Sequence, residues 1–560
     1  MNSAIIAFLG LVAFATAFRF YSVFLARKVF TEEGSFITPA HELEDGMDFV
    51  PAPRHVLFGH HFTSVAGAAP IVGPAIAVIW GWLPAFLWVV LGTIFIGAMH
   101  DYGCLMISAK NKGRSIGDLA ATVLSRRARL IFLTLVVFLA WIVLAVFAYV
   151  IALLFVQHPE TVLPVNIQIL CAPVIGYLAY KKRVSLLAPS LVVLVLLYFA
   201  VWVGTRFPIS LPNTLGLEPI NIWILFLLAY SFIASILPVW LLLQPRDLIN
   251  SHQLFLGLGA MYVGLFIVHP DMVAPALRLD VADGPPWFPF LFITIACGAI
   301  SGFHGLVSSG TTSKQLDTLP DARYVGFGGM LGEGCLALMS VLACTAGFAH
   351  ADAWHAHYQN WSGAQGLGAK IGAFVEGGGY FLIQGLGVPM DYAQALIAVI
   401  VICFAATTLD TATRIQRLII SELGVAYRIS PLQNRFVAAG IAAFSPLILV
   451  YGGRWQALWP LFGATNQMLG GLSLIVIATY LYLKKRPVIA IVVPMLFITI
   501  MTCGSMIFGI QDFIRKGDHL LTGLSSLLLI LSLAMLFEGF TVAFARARPD
   551  GVSAPPLDLE

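Results

Sequence analysis

Apolar stretches long enough to cross a bilayer recur about fifteen times along this chain, at roughly 20 residues per helical crossing. That recurrence constrains the fold more than any motif does. The stretches centre near Ala13, Val72, Leu91, Val137, Cys171, Val193, Ile233, Met261, Gly298, Leu338, Ile402, Gly440, Gly470, Pro494 and Leu531. Of 560 residues, 59% are hydrophobic and 11% charged, so no charged, turn-rich span remains that could hold a large soluble domain. The expected fold class is all-α, a polytopic membrane protein.

Other classes fall away on composition. A formal net charge of +3, without a basic arm, gives no footprint for nucleic acid. The seven cysteines lie in apolar segments without a CxxC pair and read as core residues, with neither disulfide nor zinc. The first apolar segment, about residues 3–25, has no basic residues before it and no clear cleavage site, and reads as a retained helix. No nucleophile-and-base set, zinc signature or phosphate loop points to an enzyme, and no cofactor is expected.

Basic residues orient the spans. They follow the odd-numbered stretches: Arg27, Lys28 and Arg54 after the first, Lys110 to Arg129 after the third, Lys181 to Arg183 after the fifth, and Arg246 after the seventh. Lys314 and Arg323, then Arg414 to Arg435, Lys484 to Arg486, and Arg546 and Arg548 continue the pattern. The positive-inside rule puts the N-terminus outside and the C-terminus in the cytoplasm. Residues 351–391 then form the longest outer loop and read as a cap or re-entrant piece. Its His355 and His357 lack a third metal ligand and read as ordinary loop residues.

Two stretches are poorly suited to a continuous helix. Phe58–Pro74 (FGHHFTSVAGAAPIVGP) carries Gly67, Pro70 and Pro74 beside His60, His61, Thr63 and Ser64. Cys297–Gln315 (CGAISGFHGLVSSGTTSKQ) is interrupted at Gly298, Gly302, Gly305 and Gly310. Glycine loosens a helix and proline removes a donor, and a membrane tolerates such breaks only where protein or a polar cavity satisfies the freed groups. The two stretches should cross in opposite directions. Opposed repeats that each open with a discontinuous helix mark the midplane site of a secondary transporter; glycines used only for close helix packing are the simpler alternative. In the transporter reading, half-helix N–H groups hold a carboxylate. The substrate-binding candidates are Ser64, Gly67 and Ala68 at the first break and Ser301, Gly302, His304 and Ser309 at the second.

Ion-coupling candidates come from ionisable residues within spans, which are functional by default. Asp410, with Thr407 and Thr408, offers oxygens for sodium or a carboxylate for a proton; pairing with Arg414 one turn on is the structural alternative. His60 and His61 either carry a proton or brace the broken helix. Asp101 and Glu333 are gates or members of structural pairs, and Asn466 and Gln467 are site walls or helix glue.

GHHFTSVAGAAPIVGP, DLIN (Asp247–Asn250), CGAISGFHGLVSSGTTSKQ, FAATTLDTATRIQR (Phe404–Arg417) and LWPLFGATNQ together resemble the signature segments of the carbon starvation protein A family. The resemblance spans about residues 58–467. It implies an inner-membrane transporter of nutrient-starved bacteria, taking up peptides or, with a proton, pyruvate. It also implies the amino acid–polyamine–cation superfamily with a LeuT-like five-plus-five inverted repeat. The expected division is a peripheral helix (1–30), a first repeat (56–206), inserted helices (220–270), a second repeat (287–483), C-terminal peripheral helices (487–546) and a disordered tail (549–560). The family pattern has Gln-Asp-Phe where this chain has His100-Asp101-Tyr102. The implied partners are a small carboxylate or a peptide, the bilayer, and sodium or protons. A nutrient sensor that binds such a ligand without moving it is the alternative, and a channel ranks behind it.

Overall fold

The computed structural model describes residues 1–31, 35–213, 216–450 and 455–546. The expected tail, 549–560, and Arg548 lie outside them. The fold is all-α. Twelve described helices are long and apolar enough to cross a membrane, and counting one bent pair as a span gives thirteen. The difference from fifteen lies in the ninth and twelfth stretches, whose helices are shorter. The ninth is split, and the twelfth is a helix of Arg435–Val450.

In chain order the helices that position the site are α1 (Ser3–Phe30), α2 (Arg54–Ala66), α3 (Ala69–Ala77), α4 (Trp82–Ala109), α5 (Ile116–Val123) and α6 (Arg126–Gln157). Then come α7 (Val162–Lys182), α8 (Leu187–Arg206), α9 (Pro219–Ile236), α10 (Leu243–Val268), α11 (Trp287–Thr294), α12 (Gly302–Gly310) and α13 (Arg323–Ala346). The last six are α14 (Leu367–Leu386), α15 (Met390–Ala426), α16 (Arg435–Val450), α17 (Trp455–Leu483), α18 (Ile489–Arg515) and α19 (His519–Arg546). α15 lies at the centre with its most apolar window wholly buried, while α1, α18 and α19 leave most of theirs exposed. Outward side chains such as Phe8, Val195 and Phe537 suit contact with lipid tails.

Helix packing divides the chain differently from expectation. α10 packs on α2 and α15, and α17 packs on α12 and α6; α9 packs on α6, and α16 on α15. α5 lies on α6 and α17, as α14 lies on α15 and α10. Exchanging α2–α10 for α11–α17 therefore maps one set of neighbours onto the other. This groups α9 and α10, the expected insertion at 220–270, with the first repeat, and leaves α7 and α8 as the added pair. Residues 351–391 are also more than a loop. Half of them form α14, a largely buried helix laid across the ends of α10 and α13.

Candidate functional site

The first break follows from local chemistry. α2 ends at Ala66 because Gly67 turns to φ 48°, a region that favours glycine. Pro70 then falls in the first turn of α3, where proline loses no hydrogen bond, while Pro74 lies inside the helix and leaves the Pro70 carbonyl without its usual donor. The two pieces meet at 43°. A Cβ on Gly67 would stand 2.9 Å from Thr408 Oγ1 and 3.2 Å from the Phe147 ring, so the backbone here is in direct contact with α15 and α6.

The second break spans residues 295–301. Ala299 and Ile300 donate to the Ala296 carbonyl in a turn, and Ser301 is extended before α12 begins at Gly302. Thr93 donates to the Gly298 carbonyl at 2.9 Å. Asn466 serves as the cap: its Oδ1 accepts the Phe303 N–H at 2.8 Å, and its amide donates to Ser301 Oγ at 2.9 Å. That side chain satisfies an amide which the sequence reading left free for substrate. A Cβ on Gly302 would collide with the backbone at Asn466 and Gly470.

Two buried polar networks flank these breaks. In the first, His100 Nδ1 donates to Asp101 Oδ1 at 2.8 Å and His304 Nδ1 donates to Asp101 Oδ2 at 2.9 Å. His304 Nε2 faces Glu333 Oε2 at 3.3 Å. α4, α12 and α13 thus meet through one imidazole held between two carboxyl groups, all fully buried. A π-helical turn at Thr93–Gly97 directly precedes His100 and Asp101; such turns recur at functional sites. His61 stands nearby, its Nδ1 3.0 Å from Thr312 Oγ1 and its ring against Gly329.

The second network lies between α2, α9, α10 and α15. His60 Nδ1 donates to Asp247 Oδ2 at 2.5 Å. Asp410 pairs with Arg246 and accepts from the Tyr230 hydroxyl at 2.7 Å. Asn250 donates to Thr407 Oγ1 at 2.6 Å. Ser64 Oγ lies 3.1 Å from Thr411 Oγ1, and Thr408 donates to the Ser64 carbonyl at 3.2 Å.

These contacts correct several expectations. Asp410 does not pair with Arg414, which instead donates to Asp48 Oδ1 at 2.6 Å and to the Leu237 carbonyl. Arg246 is no loop residue: it lies in the first turn of α10 and is 1% exposed. Thr407, Thr408 and Asp410 do not fit a sodium ion. Thr408 faces Ser64 while Asp410 faces Arg246, whose guanidinium already neutralises it. A second cation about 4 Å from Arg246 would meet repulsion of about 4 kcal/mol at an effective dielectric constant of about 20. Ser309 is not part of the breaks either. It donates to Gly305 and accepts the Ile116 N–H at 3.0 Å, bracing the start of α5. Ser64, Gly67 and Ala68 do adjoin the first break, and Ser301, Gly302 and His304 the second.

The end of the bundle below the second network is tied by residues 45–53. Val50 and Ala52 donate to the Lys314 and Gln315 carbonyls, and Trp240 donates to the Gly46 carbonyl at 3.0 Å. Asp48 receives Arg414, with Arg417 at 3.7 Å. Burial alone would raise the Asp48 carboxyl, but Arg414, Arg417 and Lys314 outweigh it and hold the group below its ordinary 3.8. Sequence reasoning did not single out Asp48, Tyr230, or Arg246 as the partner of Asp410; two opposite charges in separate apolar spans are the signal that pairs the last two.

Comparison with known proteins accords with this geometry. The family model described as carbon starvation protein CstA matches residues 2–358 and 348–505. The peptide transporter CstA of Bacillus subtilis is 32% identical, covering 98% of this chain and 97% of its own length. The peptide transporter CstA of Escherichia coli K12 is 34% identical over 87% of this chain and 78% of its own. The pyruvate/proton symporter BtsT of the same organism is 30% identical over 89% and 80%. Among solved structures, a mutant of the manganese transporter of Eremococcus coleocola superposes with a TM-score of 0.51 at 12% identity, covering 90% of this chain and 98% of that one. That likeness shows the fold alone. The chain belongs to the carbon starvation protein CstA family and is a membrane transporter.

Proposed function

We propose that this chain is a secondary active importer of a small carboxylate such as pyruvate, or of short peptides, working by alternating access and driven by protons. It sits in a bacterial inner membrane with its N-terminus outside and serves carbon-starved cells. The relatives that carry peptides, and pyruvate with a proton, support this reading. The observation that carries it is the His304 bridge between Asp101 and Glu333 beside the second break. With its Nδ1–H committed to Asp101, His304 turns Nε2 toward Glu333 Oε2 at 3.3 Å, near enough for the charge of one to act on the other although no hydrogen bond joins them. A proton carried on this pair removes the repulsion between lone pair and carboxylate. When that proton leaves, a carboxylate faces an imidazole lone pair in a dry site, and the contact between α12 and α13 turns repulsive. Coupling requires such a difference between two states. Substrate docks where Gly67 meets Thr408, with the start of α3 supplying positive dipole ends.

The test is uptake of labelled pyruvate and dialanine in proteoliposomes under separate pH and sodium gradients. Wild-type protein accumulates one of them under the pH gradient alone. Glu333→Gln retains exchange and loses accumulation. Accumulation by the Gln variant at the wild-type level removes the proton role, and ligand binding without flux makes the protein a sensor.

A further inference from the structure

Lys370 takes no part in either network. It lies in the first turn of α14, 5% exposed, with no ion pair or hydrogen bond from its ammonium to any described residue. Among the described residues its ammonium lies against the face of Trp459, 5.6 Å from the ring centroid. A buried cation without a counter-charge is costly, and the positive end of a helix dipole makes it more so. Both features would be relieved by an anion.

The surroundings say which anion. α14 crosses the helix ends remote from the basic loops: Gly368 abuts Gln157, the last residue of α6, Gly377 abuts Ala343 near the end of α13, and Gly385 abuts Gly264 near the end of α10. From Lys370 a continuous line of rings leads to the first break. Trp459 and Phe462 have centroids 5.6 Å apart, and Phe462 and Phe147 6.1 Å apart. Phe147 stands against Gly67. Phe147 precedes Gln157 by ten residues, about 15 Å along the helix. A buried cation near that end of the bundle, an aromatic stack and a polar break therefore succeed one another in contact.

We propose that Lys370 receives the carboxylate of an incoming substrate, and that Trp459, Phe462 and Phe147 form the plug that parts to admit it to Gly67. This rests on the transport reading above and adds to it the residue that selects for an anion. The cation–π contact holds the ammonium in place until a carboxylate displaces the ring as its partner. Pyruvate and the C-terminus of a short peptide both present that group.

The experiment compares uptake of pyruvate and dialanine with uptake of their amides, in proteoliposomes of wild type, Lys370→Met and Lys370→Arg. Lys370→Met should raise KM for the carboxylates at least tenfold with Vmax within about twofold, leave the amides unchanged, and be rescued by Lys370→Arg. Lys370→Gln serves where the Met variant does not reconstitute. Equal losses for acid and amide would make Lys370 a packing residue, and an unchanged KM would remove it from the entry path; either result overturns the inference alone. If wild-type protein moves neither carboxylate, the transport reading falls and this inference with it.

Discussion

Replacing Asp410 by Asn tests whether this carboxylate is a coupling site or the counter-charge of Arg246. Both residues are almost wholly buried. Asn keeps the volume and still accepts from the Tyr230 hydroxyl, so packing changes little and the main loss is the negative charge. Removing one partner of a buried pair costs about 3–5 kcal/mol, because the other charge stays behind unpaired. At about 1.4 kcal/mol per factor of ten, that lowers the folded-to-unfolded ratio roughly a hundredfold or more. Changing Arg246 to Met in the same chain removes the orphaned charge. An uncharged pair of similar size is close to neutral or even stabilising, less about 1 kcal/mol for the lost Arg246–Tyr230 hydrogen bond. The assay is denaturant titration in mixed micelles of wild type, both single variants and the double variant. The cycle should show coupling of about 3 kcal/mol or more, with the double variant more stable than Asp410→Asn. The double variant should also still accumulate substrate under a pH gradient. Additive single effects, or a double variant stable but unable to accumulate, would refute the structural assignment and return Asp410 to the coupling machinery.

Two other outcomes follow from the geometry. Gly67→Ala places a methyl group against Thr408 and Phe147 at a φ of 48°, so it should cost about 1–3 kcal/mol in stability and abolish binding; equilibrium binding of labelled substrate checks this, and unchanged affinity would clear Gly67 from the site. Asp48 has a depressed pKa in the folded state, so its contribution is present above the ordinary carboxylate value and is lost as pH falls through the lowered one. Amide hydrogen exchange across residues 45–53, taken relative to the intrinsic rate, should therefore speed up as pH falls below the ordinary carboxylate value of about 4 in wild type, and should be fast at every pH in Asp48→Asn.

Both breaks were legible because glycine and proline cluster there with polar residues inside apolar stretches, and Gly67 and residues 295–301 are where the helices part. His304, Asp101 and Glu333 were legible one at a time as polar residues within spans, but their meeting was not. Asp101 and His304 are 203 positions apart, and only packing of α4 against α12 unites them. Arg246 was misplaced because it follows an apolar stretch and so resembles a loop residue. The chain turns through residues 239–242 just before it, and α10 begins with that charge buried in its first turn. The expected division of the repeats differs from the helix packing for a related reason. Five consecutive spans make the simplest repeat, and nothing in the hydropathy of α7 and α8 distinguishes an added pair from a core pair. Lys370 passed unnoticed because a lysine in an outer loop needs no explanation until the loop proves to be a buried helix.

The exchange of neighbours between the two halves carries a consequence for how the ends close. α5 and α14 occupy equivalent places, each crossing one end of the bundle and each resting on a long central helix, α6 or α15. α5 is tied down by polar contacts: Ser309 accepts the Ile116 N–H, and Ser115 donates to Glu422. Residues 45–53, with Asp48 against Arg414, add a charged strap at that end. α14 is held mainly by apolar packing and close glycine contacts, and the one charge buried in its first turn has no ion pair or hydrogen bond among the described residues. The end beneath α5 is thus closed by directional bonds that must break in sequence, and the end beneath α14 by a surface that can part and re-form around a carboxylate. Two ends built so differently need not open under the same influence: on the entry route proposed for Lys370, substrate would act at α14, while the strap at Asp48 is tied through Arg414 to α15.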